Sequence, residues 1–251
     1  MKVLVHSNIG KRRSSNQDYA DYYTTQAGQT LFVLCDGVGG HQAGDVASKM
    51  TTDFIGQRFE QIATLFTTET IHDWLVSTIH DVNQYIYQHS LEHSELVGMG
   101  TTLVMAAAVD DQVIIAHVGD SRAYGFYQGQ LTQLTEDHSL VNELIRSGEI
   151  TVEEGITHPR RNVVTESIGG TSTVSPEINQ ISLTDIEVLM LCSDGLSNMV
   201  SHEELTQFFN EKREEADFGQ TLINAANNAG GTDNITVIVV SDLNDSVEGE
   251  G

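Results

Sequence analysis

Two short stretches hold the residues best suited to chemistry: Cys35-Asp36-Gly37-Val38-Gly39-Gly40-His41 and Cys192-Ser193-Asp194-Gly195. Each follows an apolar run, residues 31–35 and 188–192, that is too short for a helix and reads as a buried strand. A strand of this kind holds its aspartate rigidly, and the adjoining glycine lets the backbone turn and approach whatever the carboxylate binds. A carboxylate beside a glycine carbonyl suits a hard divalent cation such as Mg2+ or Mn2+, which prefers oxygen ligands. Three more aspartates have related placements: Asp120 follows a strand pattern, while Asp18 and Asp233 precede one. In an antiparallel sheet the exit of one strand lies beside the entrance of the next, so all five could share one edge. Most loop aspartates are only turn formers. Five carboxylates gathered together would repel one another unless cations sat between them. Two ions about 3.5–4 Å apart, bridged by one carboxylate, would polarise a water into a hydroxide and clamp a phosphoryl group. The chemistry expected is metal-dependent hydrolysis of phosphate esters.

Other chemistries fail on the same residues. A cysteine phosphatase needs Arg six positions after its Cys, where this chain has His41 and Asn198. A dinucleotide-binding turn requires a third glycine where Gln42 stands. Gly10-Lys11-Arg12 lacks the spacing and hydroxyl of a Walker loop, and there is no EF-hand loop. His89 and His93 are four apart, but without the glutamate of a zinc protease motif; with His72 and His80 they are read as surface residues.

The elements that must position the carboxylates follow from periodicity. A strand over residues 19–24 places Asp18 at its start. Val46, Ala47, Met50 and Phe54 mark one face of a helix from residue 43, and Ile71, Leu75, Ile79, Val82 and Ile86, with Trp74, mark a second from about residue 68. Strands at 102–109, 113–118, 123–127 and 130–134 are joined by short turns, which predicts a contiguous antiparallel meander. Residues 135–176 are irregular, with one helix at 139–147. Strands return at 178–183 and 188–192, the Ser201-x-x-Glu204 capping box opens a helix, and a helix over 216–229 stops at Gly230-Gly231 before a last strand, 235–240. The acidic tail, 242–251, is expected to be disordered.

The 251 residues can build one full core, so residues 1–241 are expected to form a single catalytic domain. The opening apolar run is too short for a signal peptide and none later reaches membrane-spanning length, which predicts a cytoplasmic protein. Cys35 and Cys192 lie inside apolar runs and are expected to be free thiols. A net charge of -24 repels nucleic acid and anionic membrane, so neither is an expected partner. It also requires a locally positive site for an anionic substrate, from bound metals and from Lys11-Arg12-Arg13.

In order along the chain, Arg13 to Asp18, Asp36-Gly37-Val38-Gly39-Gly40-His41, Gly100-Thr101-Thr102, Val118-Gly119-Asp120-Ser121-Arg122, Cys192-Ser193-Asp194-Gly195-Leu196 and Gly231-Thr232-Asp233-Asn234 resemble the PPM family of metal-dependent serine/threonine protein phosphatases in its bacterial form. The resemblance covers the chain apart from its acidic tail. It implies an α+β fold: a sandwich of two antiparallel β-sheets flanked by helices on both sides, in four α-β-β-α layers, with the metal centre at one end. It further implies that Asp36 bridges two Mn2+ or Mg2+ ions, that Asp194 and Asp233 complete one of them, and that the Gly37 carbonyl serves the other. Asp18 resembles the acid that holds metal-bound water, Asp120 the acid that helps to bind a third ion, and Arg13 the arginine that grips the substrate phosphate. Where many eukaryotic relatives place His directly after Asp-Gly, this chain has Val38. The proton donor to the leaving group is left between His41 and metal-bound water. Residues 138–170, with Pro159-Arg160-Arg161, resemble the flap beside the site. The implied substrates are phosphoserine and phosphothreonine in proteins, including a cytoplasmic serine/threonine kinase that the enzyme opposes; a monomer is expected. A non-catalytic regulator with the same fold, and a hydrolase of small phosphoesters, are the alternatives.

Overall fold

The computed structural model describes residues 1–38 and 43–243. Along the chain run β1 (Lys2–Asn8), β2 (Asp18–Thr24), β3 (Thr30–Val38), α1 (Gly44–Glu60), α2 (Thr68–Glu92), β4 (Gly100–Thr101), β5 (Leu103–Val109), β6 (Gln112–Val118), β7 (Arg122–Tyr127), β8 (Gln130–Gln133), α3 (Leu140–Ser147), α4 (Val152–Ile156), β9 (Glu177–Ser182), β10 (Val188–Cys192), α5 (Asp194–Ser197), α6 (His202–Lys212), α7 (Phe218–Asn228) and β11 (Ile235–Ser241). The strands form two sheets, β1-β11-β10-β7-β8 and β2-β3-β5-β6-β9, with β4 added to β3, and every pairing is antiparallel.

The continuous apolar runs have a simple cause. A strand with helices on one face and a second sheet on the other is buried on both, so alternation disappears. In β3, Leu31, Val33 and Cys35 pack towards the α1–α2 layer, whereas Phe32 and Leu34 enter the layer between the sheets. In β10, Val188, Met190 and Cys192 face α6 and α7 while Leu189 and Leu191 face the other sheet. The α2 stripe of Ile71, Leu75, Ile79, Val82 and Ile86 is fully buried, each residue contributing about 1.5–3 kcal/mol. Thr67 and Thr70 cap that helix reciprocally, as Ser201 and Glu204 cap α6. The four layers are α-β-β-α. Both cysteines are buried and free.

Three sequence expectations need correction. The meander is not contiguous, because β5 and β6 belong to one sheet while β7 and β8 belong to the other. Gly119-Asp120-Ser121 therefore carries the chain between sheets, with Gly119 at φ +104, where a Cβ would stand 2.7 Å from the Thr102 side chain. Second, β3 does not end before Asp36: pairing of Gly37 with Thr101 and of Val38 with Gly100 extends it. Third, the buried face of α1 is Ala47, Thr51, Ile55 and Phe59, with Val46, Met50 and Phe54 only partly covered. The packed chain also reaches Leu243, which is buried between the sheets beyond the expected end of the domain. Among the described residues no helix is long and apolar enough to cross a membrane.

Candidate active site and metal centre

Strand parity places the first carboxylates. Phe32 and Leu34 point between the sheets, so Asp36 does too, and the β2–β3 register sets Asp18 directly opposite it. The Asp36 backbone is fixed on both sides: its N–H donates to Thr102 Oγ1 at 3.0 Å, and its carbonyl accepts from Thr102 N at 2.8 Å and Thr101 Oγ1 at 3.0 Å. Thr102 Oγ1 is in turn 2.7 Å from Ser121 Oγ on the crossover turn. Gly37 is required for close approach, since a Cβ there would lie 2.3 Å from the Gly44 carbonyl oxygen and 2.7 Å from that of Gln17.

The other carboxylates arrive from the second sheet. Asp194 follows β10 by one residue and opens α5, where its Oδ2 accepts from Asn198 Nδ2 at 3.0 Å. Asp233 precedes β11; its Oδ2 accepts from Arg13 Nη2 at 2.6 Å. Asn234, 4% exposed, holds this corner by donating from Nδ2 to the carbonyls of Ile9 and Ser15, both at 2.9 Å, and accepting at Oδ1 from Gln17 N at 2.8 Å. One amide thus ties the loop bearing Arg13 to the start of β11. Arg122, the last residue of Val118-Gly119-Asp120-Ser121-Arg122, donates through Nε and Nη2 to both oxygens of Asp137, at 2.8 and 2.7 Å.

These groups lie within reach of one another's charge. Burial, then the charges of Asp18, Asp194, Asp120 and Asp233, push Asp36 well above the usual carboxylate range. Burial raises Asp18 to about 7, against hydrogen bonds from Thr236 and Ser193 and with the charges of Asp194 and Asp233 adding to the rise. Asp120 is raised to about 7 by burial and by Asp194 and Asp137, Arg122 opposing. Asp194 rises to about 6 through burial and the charge of Asp233, opposed by a hydrogen bond with Asp36 and by Arg13 and Arg122. Each shift has the same origin: anions held close in a poorly hydrated site. All five expected aspartates are brought together.

The donor set fits divalent cations. Among the described residues Asp18 Oδ1 and Asp194 Oδ1 are buried without a hydrogen-bond partner, an expensive state for an acceptor that faces no cation. The available ligands are oxygens throughout, as Mg2+ or Mn2+ prefer. Arg13 stands at the rim, half-exposed. His41, the sequence-predicted proton donor, lies outside the described residues.

From Asp120 and Asp194 a groove of about 500 Å³ runs outwards. One wall is the segment 138–170, through Val141, Ile145, Val152, Ile156 and Arg161; Asn198, Met199 and Glu204 form the other. The base of that segment is held by the bridges Thr101–Ile168 and Ser139–Val164. Arg160 does not line the groove.

The sequence reading missed three features. Asp137 as the partner of Arg122, and the clamp made by Asn234, depend on contacts far apart in sequence. The third is a cluster of His117, His138 and Glu177, assembled when β9 pairs with β6. The one available signal was parity, which places His117 with Val113 and Ile115 on the face between the sheets.

Comparison with known proteins bears on the whole arrangement. The protein phosphatase 2C family model matches residues 8–235. The chain is 40% identical over 242 residues to protein phosphatase PhpP of Streptococcus pneumoniae, covering 96% of this chain and 97% of that protein. It is 41% identical over 240 residues to serine/threonine phosphatase stp of Listeria monocytogenes, covering 96% and 95%. Among solved structures, serine/threonine phosphatase Stp1 of Staphylococcus aureus superposes with a TM-score of 0.92 at 39% identity, covering 96% of this chain and 94% of that one. The serine/threonine phosphatase PstP/Ppp of Mycobacterium tuberculosis gives 0.82 at 31% identity, covering 96% and 97%.

Proposed function

Because the chain belongs to the protein phosphatase 2C family and is a serine/threonine phosphatase of that type, we propose that the carboxylate cluster is its metal-dependent catalytic centre, acting on phosphoserine and phosphothreonine in proteins. The observation that carries this reading is the convergence of Asp18, Asp36, Asp120, Asp194 and Asp233, with two buried oxygens lacking partners, at the end of a groove walled by the flap.

In this reading Asp36 would be shared by two Mn2+ or Mg2+ ions, with Asp194 and Asp233 helping to hold one and the Gly37 carbonyl the other. Asp18 would accept hydrogen bonds from water at these ions, and Asp120 would help to hold a third. When bound, such cations would lower the pKa of water enough to provide a hydroxide nucleophile at neutral pH and would offset charge on the phosphoryl oxygens. Arg13, already 2.6 Å from Asp233 at the rim, binds and orients the phosphate. Attack is direct, with no phosphoenzyme: burial pushes both cysteine thiols up to about 12, so neither offers a thiolate. The proton needed by the serine or threonine leaving group comes from His41 or from water. Opposition to a serine/threonine kinase in the cytoplasm belongs to the same proposal, and rests on the resemblance to bacterial phosphatases.

The test is phosphate release from a phosphothreonine peptide by chelator-stripped protein, with and without Mn2+, beside Asp233→Asn. Turnover restored by Mn2+ in the wild type and lost in the variant is expected. Metal binding without turnover in the wild type would overturn the reading.

A further inference from the structure

On the same inner face as Asp36, but towards the β9 edge of its sheet, lies a second group of metal-ligating side chains. His117 in β6 pairs in register with Glu177 in β9, and His138, at the base of the flap, covers both: its ring centroid is 4.8 Å from that of His117, and its Nε2 is 3.6 Å from Glu177 Oε1. One ligand atom from each residue can be chosen so that all three lie within 4.8 Å of one another. We propose that His117, His138 and Glu177 form a zinc site separate from the carboxylate cluster. The proposal goes beyond the phosphatase reading and does not rest on it.

The carrying observation is the His117 ring. It is 0% exposed, and its Nε2 sits 2.8 Å from the Glu136 carbonyl oxygen, which can only accept, so Nε2 bears the proton. Nδ1 is then a bare lone pair, and among the described residues it has no hydrogen-bond partner. A buried acceptor left in this state costs about 1–3 kcal/mol, whereas an imidazole whose other nitrogen donates to a backbone carbonyl has the arrangement of a metal ligand already oriented. Two imidazole nitrogens and one carboxylate oxygen favour Zn2+ over the oxygen-seeking Mg2+, and three protein ligands leave a fourth position for water. Bonds of about 2.0–2.1 Å require ligand atoms roughly 3.3 Å apart in a tetrahedron. The His138–Glu177 separation nearly meets that, and the His117 distance must contract. Glu177, whose side chain is 38% exposed, provides the way in.

Occupation would be felt at the crossover turn. Gly119 N–H donates to His138 Nδ1 at 3.3 Å, so the His138 proton is on Nε2. Coordination through Nε2 moves that proton to Nδ1, and the Gly119 amide, next to Asp120, loses its acceptor.

The experiment uses the full chain, stripped with chelator and then held in saturating Mg2+ so that the oxygen-rich centre is filled. Zn2+ is titrated against a fluorescent zinc indicator, and the 15N resonances of the histidine rings and the Gly119 amide are followed. The expected result is one tightly held Zn2+ per chain, shifts at His117 Nδ1 and Gly119, and affinity at least about tenfold weaker in Glu177→Gln. Glu177 stands at the rim, so this variant is expected to fold, and its circular dichroism checks that. His117→Gln provides a second loss of ligand. No zinc uptake in Mg2+, unmoved His117 and Gly119 resonances, or equal uptake by wild type and Glu177→Gln would each overturn the site, the last by assigning the ion to the carboxylates.

Discussion

Asp18 and Asp36 stand directly across the β2–β3 ladder from each other, two carboxylates on one face of one sheet. Like charges opposite one another destabilise a ladder, so this pair is tolerable only if something else neutralises it. The metal-stripped protein should show the cost directly. With Asp18 at about 7 folded and near 4 unfolded, the folded state holds the extra proton between those values. Its contribution to stability therefore falls as pH rises from about 4 to 7, by about 2–4 kcal/mol. Urea denaturation in chelator should give a pH slope in that window that is flattened in Asp18→Asn. Mn2+ at about a hundred times its Kd should stabilise the wild type by about 2.7 kcal/mol, and much less in Asp36→Asn.

Asn234 makes three hydrogen bonds that no smaller side chain replaces. Asn234→Ala should lose about 2–4 kcal/mol in urea denaturation, because buried partners are left unsatisfied. Release of the loop carrying Arg13 should raise KM for a phosphopeptide as well as lower kcat. Asn234→Asp should not rescue either, since both carbonyls need a donor.

Arg122 grips Asp137 with two parallel bonds beside Asp120. Arg122→Lys keeps the charge and loses the fork. The expected cost is about 1–3 kcal/mol, with half-maximal activation moved to higher Mn2+. Unchanged Mn2+ dependence in a destabilised variant would confine Arg122 to a structural role.

The cysteines are expected to be dispensable for chemistry. The double variant Cys35→Ser, Cys192→Ser should lose about 1–3 kcal/mol at each buried site yet retain Mn2+-dependent turnover while folded. Iodoacetamide should leave native wild type active, since each thiol is buried and pushed up to about 12.

Local pattern and topology contributed differently to what could be read beforehand. The apolar runs ending in Asp36 and near Asp194 named their strands, and the α2 stripe named its helix, because burial on a regular element imposes its period on the residues themselves. Antiparallel geometry allowed the five aspartates to share one edge, but did not show the facing of two sheets that carries Asp194 and Asp233 towards Asp36. The sheet change at Gly119-Asp120-Ser121 did not show, since a short turn between two strands has the same composition whether it closes a hairpin or bridges two layers. The contacts of Asn234, the Arg122–Asp137 fork and the His117–Glu177 pair were equally hidden: each joins residues whose nearness exists only after long-range pairing.

The order β1-β11-β10 has a consequence for how the chain is made. Among the described strands, the one made last lies between the first and the tenth. Until it emerges, β1 waits with no partner, and β10, which leads to Asp194, has one edge unpaired. Asp233 and Asn234, at the head of β11, are the final pieces of the carboxylate cluster and of the clamp on the Arg13 loop. A nascent chain that has not yet delivered β11 therefore cannot bring Asp233 to the other four aspartates.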